Sequence, residues 1–94
     1  MRREVFNSPR FIRDARRWAK KHPHGQVSLL ATLAALEADA FQPSLGTHKL
    51  KGRLSAYHAC SAGYNIRIVF EFFATYGSVA IRLIELGTHD DVYN

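Results

Sequence analysis

The run from Tyr64 to Phe73 (Tyr-Asn-Ile-Arg-Ile-Val-Phe-Glu-Phe-Phe) constrains this chain more than any other stretch. Almost every residue in it is β-branched, aromatic or apolar, so it predicts a long strand inside a sheet. Side chains alternate along a strand. Ile66, Ile68, Phe70 and Phe72 therefore share one face, which should be core. Arg67, Val69, Glu71 and Phe73 share the other. An arginine in so apolar a strand must have its guanidinium solvated or paired. Two readings are open. Arg67 pairs with Glu71 or Glu85 on a wet sheet face, as antiparallel sheets often have, or the sheet presents Arg67 to an anionic ligand.

The remaining elements follow from local signals. Arg2 to Phe6 is a short candidate strand. Ser8 is a helix N-cap with Pro9 in the first turn. Helix one then runs to about Lys21, with Phe11, Ile12, Ala15, Trp18 and Ala19 on one stripe. The stretch from His22 to Gly25 is a turn. Gln26 to about Ala40 is a second helix, apolar enough to be buried on more than one side, and the two helices make a hairpin. Phe41 to Gly52 reads as a polar connection. Arg53 to Ser61 alternates as a strand, Ala62 and Gly63 turn the chain into the central strand, and Tyr76-Gly77-Ser78 leads to a further strand over Val79 to Leu86. The last three strands form an antiparallel meander. The expectation is an α+β fold of order β-α-α-β-β-β, a helical hairpin on a small, mainly antiparallel sheet. With 94 residues and neither repeats nor a linker, residues 1–94 are expected to be a single domain.

Charge narrows the partners. The formal net charge is +5, from 13 Lys and Arg against 8 Asp and Glu. The first helix is strongly basic, and Arg13, Arg16 and Arg17 form a candidate docking face for an anionic partner. Lone Cys60 excludes an intrachain disulfide, and its neighbours make it a small buried residue. No run resembles a secretory signal or a bilayer span, so a cytoplasmic, non-membrane protein is expected. No metal or other cofactor is called for, since no cysteine or carboxylate completes a site at His22 and His24.

Three stretches carry a family resemblance. His48-Lys-Leu-Lys-Gly is similar to a His-x-Leu-x-Gly loop. Tyr57 through Phe70 is similar to the strand-turn-strand that follows it, and Gly87-Thr-His-Asp-Asp-Val-Tyr to a closing Gly-Thr-His motif with a final aromatic. With their spacing and the element order, the chain resembles the RelE/ParE superfamily of bacterial toxins, and within it the YafQ-like messenger-RNA endonucleases. The match covers roughly the last half of the chain.

The resemblance implies a toxin of a type II toxin–antitoxin pair that cuts messenger RNA on the ribosome. A cognate antitoxin would silence it, and the complex would bind operator DNA through the antitoxin. It assigns catalysis to His48, Arg67, His89 and Tyr93. Around them, Lys49, Lys51, Arg53, Tyr57 and Asn65 would contact RNA. Arg13, Arg16 and Arg17 would receive the antitoxin. The chain departs from the branch at Ala59 and Ser61, where an Asp and a His are usual, and at Asn65, where a further Asp is usual. Those departures keep a non-enzymatic binding module open, and the ParE side of the superfamily keeps a gyrase inhibitor open. The nuclease chemistry is physically coherent. Imidazoles near neutral pKa can take and give protons, and a planar guanidinium matches two phosphate oxygens.

Overall fold

In the computed structural model, which describes residues 1–88, Ser8 opens the first helix as its residue type dictates. Its hydroxyl accepts the Phe11 N–H at 3.1 Å and donates to the Ile84 carbonyl at 3.2 Å, so the cap also fastens the helix to the sheet. Helix α1 is Pro9–Lys21. A short turn over Pro23–Gly25 leads into α2, Gln26–Ala38. The strands are β1 (Val5–Phe6), β2 (His48–Lys49), β3 (His58–Gly63), β4 (Ile66–Thr75) and β5 (Ser78–Thr88). They form one sheet in the order β1-β5-β4-β3-β2. Neighbours from β2 to β5 are antiparallel, and β1 runs parallel to β5. The expected α+β fold, with its helical hairpin and meander, is the fold observed.

The helices cover one sheet face. Phe11, Leu29, Leu36, Ile66, Ile68, Phe70, Ile81 and Leu83 form the core between them, with Phe72 at its margin. The inward face of β4 is thus the one its alternation predicts. Phe70 has no exposed surface, and truncating such a residue to alanine costs about 3–5 kcal/mol. The opposite face is not simply wet. Leu50, Ala59 and Val69 are buried there, with Leu54, Tyr57 and Ile84 packed against them. The chain from Leu50 to Tyr57 folds back over the middle of that face and leaves its Arg67 end open.

Several boundaries differ from the sequence-based expectation. The first strand is only Val5–Phe6. β3 begins at His58, because Gly52–Leu54 forms a 3-10 turn with Gly52 at φ 69°. The β3–β4 turn lies at Tyr64 and Asn65, and Asn65 takes a left-handed φ of 59°, which asparagine tolerates. A short strand, β2, emerges from the connection expected to be loop. In α2 the burial is one-sided. Leu29 and Leu36 face the sheet, whereas Val27 and Leu30 are 77% and 66% exposed. β5 carries a bulge, with Val69 opposite Glu85 and Phe70 opposite Leu83, so Ile84 has no partner on β4.

Candidate functional site

Arg67 sits opposite Ser61 on β3 and Gly87 on β5. Its Nη1 donates to the Ile66 carbonyl at 3.0 Å and reaches the Ser61 hydroxyl at 3.5 Å. Neither expected carboxylate takes it. Glu71 pairs with Arg82 at 2.9 Å and Glu85 with Arg10 at 2.8 Å. Among the described residues Arg67 has no ion pair, so the paired-arginine reading is corrected. Pairing through the bulge and cross-strand register has used the nearby acids elsewhere. Arg67, Ser61, Gly63, Tyr64 and Asn65 line a depression of about 410 Å³ at the open end of the face. Within it a cation, a hydroxyl and an amide converge, and the fully exposed Tyr64 ring stands at the rim. This can hold a phosphate with an aromatic surface beside it.

His48 approaches the same face from β2. It pairs with Ala59, and Ala59 with Val69, so His48 lies two strands across and two residues along from Arg67. Strand spacings place the two Cα atoms about 12 Å apart, a gap that two long side chains and one phosphodiester can span. The His48 Nδ1–H donates to the Gly46 carbonyl at 3.0 Å. Since a carbonyl can only accept, Nε2 is the basic nitrogen of the neutral ring. Lys49, Lys51 and Arg53 are exposed along the same segment, but Lys49 pairs with His58 and so takes the helix side of the sheet, opposite to His48.

The other expected residues are distributed differently. Tyr57 is half-buried against the Leu50, Ala59 and Val69 cluster, and Tyr64 occupies the place where an aromatic platform would serve. The sequence signal for Tyr64 was its position beside a turn asparagine, which projects a side chain outward. His89 and Tyr93 lie outside the described residues. Arg13 and Arg16 are exposed on α1, and Arg17 binds Asp14 at 2.9 Å. His58 lies on the helix side of the sheet, ring to ring with Phe70 and Phe72. Burial, then the charges of Lys49 and His48, hold its pKa below 6.5. Burial pushes the Cys60 thiol up to about 12 against an opposing pull from Arg67. A thiol this basic is no nucleophile at neutral pH. Among the described residues no three His, Cys, Asp or Glu side chains come together to hold a metal ion.

Sequence reasoning passed over Asp14. Its carboxylate is 12% exposed and bridges three partners. Oδ1 takes Arg17, Oδ2 lies 3.7 Å from Arg10, and Oδ2 accepts the Leu86 N–H at 3.2 Å. The last bond reaches from α1 to β5 just past the bulge and one residue before Gly87, which pairs with Arg67. The helix thereby fixes the end of the strand that borders the candidate site.

No protein-family model matches the sequence. No curated protein matches it either. Solved structures do match. The Escherichia coli DinJ-YafQ toxin-antitoxin complex aligns at a TM-score of 0.75 and 16% identity, covering 100% of both chains. YafQ from E. coli strain BL21(DE3) aligns at 0.73 and 17%, covering 99% of this chain and 100% of that one. A YoeB/ParE toxin from Agrobacterium tumefaciens aligns at 0.73 and 13%, covering 92% and 98%. At these identities the likeness is one of fold: the chain has the α+β architecture of the YafQ and YoeB/ParE toxin structures.

Proposed function

We propose that this chain, as a single domain over residues 1–94, is the toxin of a toxin–antitoxin pair and an endoribonuclease that cuts messenger RNA without a metal ion. The observation that carries the nuclease reading is Arg67, a guanidinium without an ion pair among the described residues, set in an open depression on a YafQ-like sheet. Cleavage is an in-line attack by the ribose 2′-oxygen on the adjacent phosphorus. The P–O5′ bond breaks, leaving a 2′,3′-cyclic phosphate and a free 5′-hydroxyl. Arg67 holds two phosphate oxygens and offsets the charge that builds in the transition state. His48 Nε2 accepts the 2′-hydroxyl proton. His89 returns a proton to the departing 5′-oxygen, and Tyr93 orients the nucleotide. Tyr64 stacks on an unpaired base, Asn65 and Ser61 bond its sugar or phosphate, and Lys51 and Arg53 hold flanking phosphates, whereas Lys49, paired with His58, lies on the other face.

With Ala59 and Ser61 on β3, the site itself offers few proton-transfer groups, which favours cleavage of messenger RNA already positioned on the ribosome. Such a substrate goes with a cytoplasmic protein; among the described residues no helix is long and apolar enough to cross a membrane. The partner is an acidic antitoxin, through which the complex binds operator DNA. DinJ bound to YafQ is the analogous assembly among the structural neighbours. The antitoxin docks on the exposed α2 residues Val27 and Leu30 and the cations Arg13, Arg16 and Arg17.

The test is induced expression of the wild-type chain beside Arg67→Ala and His89→Ala, reading growth and mapping RNA 5′ ends. New 5′ ends with the wild type and a loss of at least about tenfold in either variant support the assignment. Growth arrest by all three forms without new ends moves the reading to a gyrase inhibitor or a binding module.

A further inference from the structure

A second pocket lies at the far end of the sheet, where β4 ends and β3 and β5 begin. Along β4, Phe72 is five residues past Arg67, about 17 Å away, and it faces the helix side. Arg2, Arg3, Phe41, His58, Phe72 and Val79 contribute to a cavity of about 680 Å³. Its walls are aromatic. Phe41 and Phe72 stack with centroids 5.5 Å apart, and His58 meets Phe72 edge-on at 4.9 Å. The Arg3 guanidinium lies 5.2 Å from the Phe72 centroid and 5.8 Å from that of Phe41.

Two features show that the polar chemistry of this pocket is incomplete. Arg3 Nε and His58 Nδ1 are both buried without a hydrogen-bond partner among the described residues. A buried guanidinium N–H carries a desolvation cost that a carboxylate would offset. Among the described residues the lining also holds no carboxylate. Arg2 is paired with Glu37 at 2.6 Å, outside the cavity, whereas Arg3 has no ion pair among the described residues.

We propose that this pocket binds an acidic peptide segment of a partner protein, with an aliphatic side chain against the exposed ring edges and Val79 and a carboxylate on Arg3. Charge complementarity requires an anionic ligand. The ring arrangement selects peptide over nucleic acid. The faces of Phe41 and Phe72 are turned to each other and to Arg3, which leaves little open face for a nucleobase to stack on. Their edges remain, with Val79 and the outer part of Phe41, which is 55% exposed. Ring edges carry partial positive charge and pack well against aliphatic groups and carboxylates. The terminal nitrogens of the Arg3 fork supply a two-point contact to a carboxylate, and the added negative charge offsets the desolvation of the buried Nε–H. The proposal stands whether or not the chain proves to be a nuclease.

The test is an NMR titration of the full-length, ¹⁵N-labelled chain with the peptide acetyl-Glu-Leu-Glu-Ile-Glu-amide. The controls are the same peptide with serine in place of Leu and Ile, and uridine monophosphate. Saturable shifts at the Arg3 side-chain N–H and the Gly77, Ser78 and Val79 amides are expected. The affinity should fall at least tenfold in Arg3→Gln and in Phe41→Ala, the latter at an exposed position where folding is tolerant. Lys21→Gln should bind as the wild type does. Equal binding of the serine peptide would reduce the pocket to bulk charge and overturn the proposal. So would shifts confined to α1, tighter binding of uridine monophosphate at the same amides, or no shift at millimolar peptide.

Discussion

Replacing Asp14 by alanine should loosen the attachment of α1 to the end of β5. The Leu86 N–H bond has a charged acceptor and is part-buried, and such a bond contributes about 1.5–3 kcal/mol. Arg10 and Arg17 are 61% and 67% exposed, so each pair adds only a few tenths of a kcal/mol. The sum for Asp14→Ala is a loss of about 2–3 kcal/mol. Asp14→Asn keeps an amide oxygen that can accept from Leu86 and loses only the charge, for about 1 kcal/mol. Urea unfolding separates them. With a slope of about 1–1.5 kcal/mol/M for a chain this size, alanine lowers the midpoint by about 2 M and asparagine by less than half of that. Hydrogen exchange gives the local readout, since the Leu86, Gly87 and Thr88 amides should lose protection selectively in Asp14→Ala. Equal destabilisation by the two substitutions would refute the role given to the Leu86 bond. A cost under about 0.5 kcal/mol for alanine would refute the whole strut.

Other perturbations read other parts of the molecule. A Cβ on Gly25 would overlap the Trp18 ring. Gly25→Ala should therefore cost about 1–3 kcal/mol and shift the emission of Trp18, the sole tryptophan; an unchanged spectrum and midpoint would contradict the packing. Cys60 is buried with its thiol raised to about 12, so the native protein should resist thiol reagents until urea unfolds it, and rapid native labelling would argue otherwise. His58 titrates below its ordinary value because of burial and the charges of Lys49 and His48. The unfolded chain then binds its proton first, so the stability contributed above pH 6.5 is lost as pH falls toward the folded pKa. His58→Gln should flatten the fall in urea midpoint between about pH 7 and 5, and an unchanged slope would remove His58 as its source.

The residues that were legible in the sequence are those whose local chemistry had one solution. Ser8 and Pro9 could only begin a helix, and β4 could only be a central strand. The inward face of Ile66, Ile68 and Phe70 followed from alternation alone. What was not legible depended on distant parts of the chain. The 3-10 turn at Gly52–Leu54 interrupts a stretch that alternates well enough for a strand, because Leu54 and Tyr57 gain more by packing against Val69 than by extending β3. Val27 and Leu30 look like core on composition, but the single sheet gives α2 only one surface to bury. Arg67 stood out in the sequence as a charge in an apolar strand, while its escape from Glu71 and Glu85 depends on the β5 bulge and on Arg10 and Arg82, which no local pattern announces. Tyr57 and Tyr64 have the same chemistry seven positions apart; only the fold sends one inward and the other to the rim of the depression.

The distribution of acids explains why a charge of +5 acts locally rather than as a diffuse field. Among the described residues, Asp14, Glu37, Glu71 and Glu85 all pair with arginines: Asp14 with Arg10 and Arg17 within α1, and Glu37 with Arg2, Glu71 with Arg82 and Glu85 with Arg10 between separate parts of the fold. The cations left without such pairs include Arg3, Arg13, Arg16, Lys51, Arg53 and Arg67, and they lie in three separate places. Those around Arg67 and His48 border an open depression with an aromatic rim, suited to a flexible phosphodiester. Those on α1 share their helix with the partly exposed Ile12, suited to an amphipathic acidic segment. Arg3 stands over stacked phenylalanines, suited to one carboxylate and one aliphatic side chain. Raising salt should therefore weaken the three contacts unequally. The RNA contact, which makes several phosphate pairs and releases a counterion at each, should fall most steeply. The Arg3 contact, with one partly desolvated pair and an apolar component, should fall least. Parallel salt slopes for RNA and for the acidic aliphatic peptide would mean that both ligands sense one undivided basic surface, and the division of labour argued from the ion pairs would be wrong.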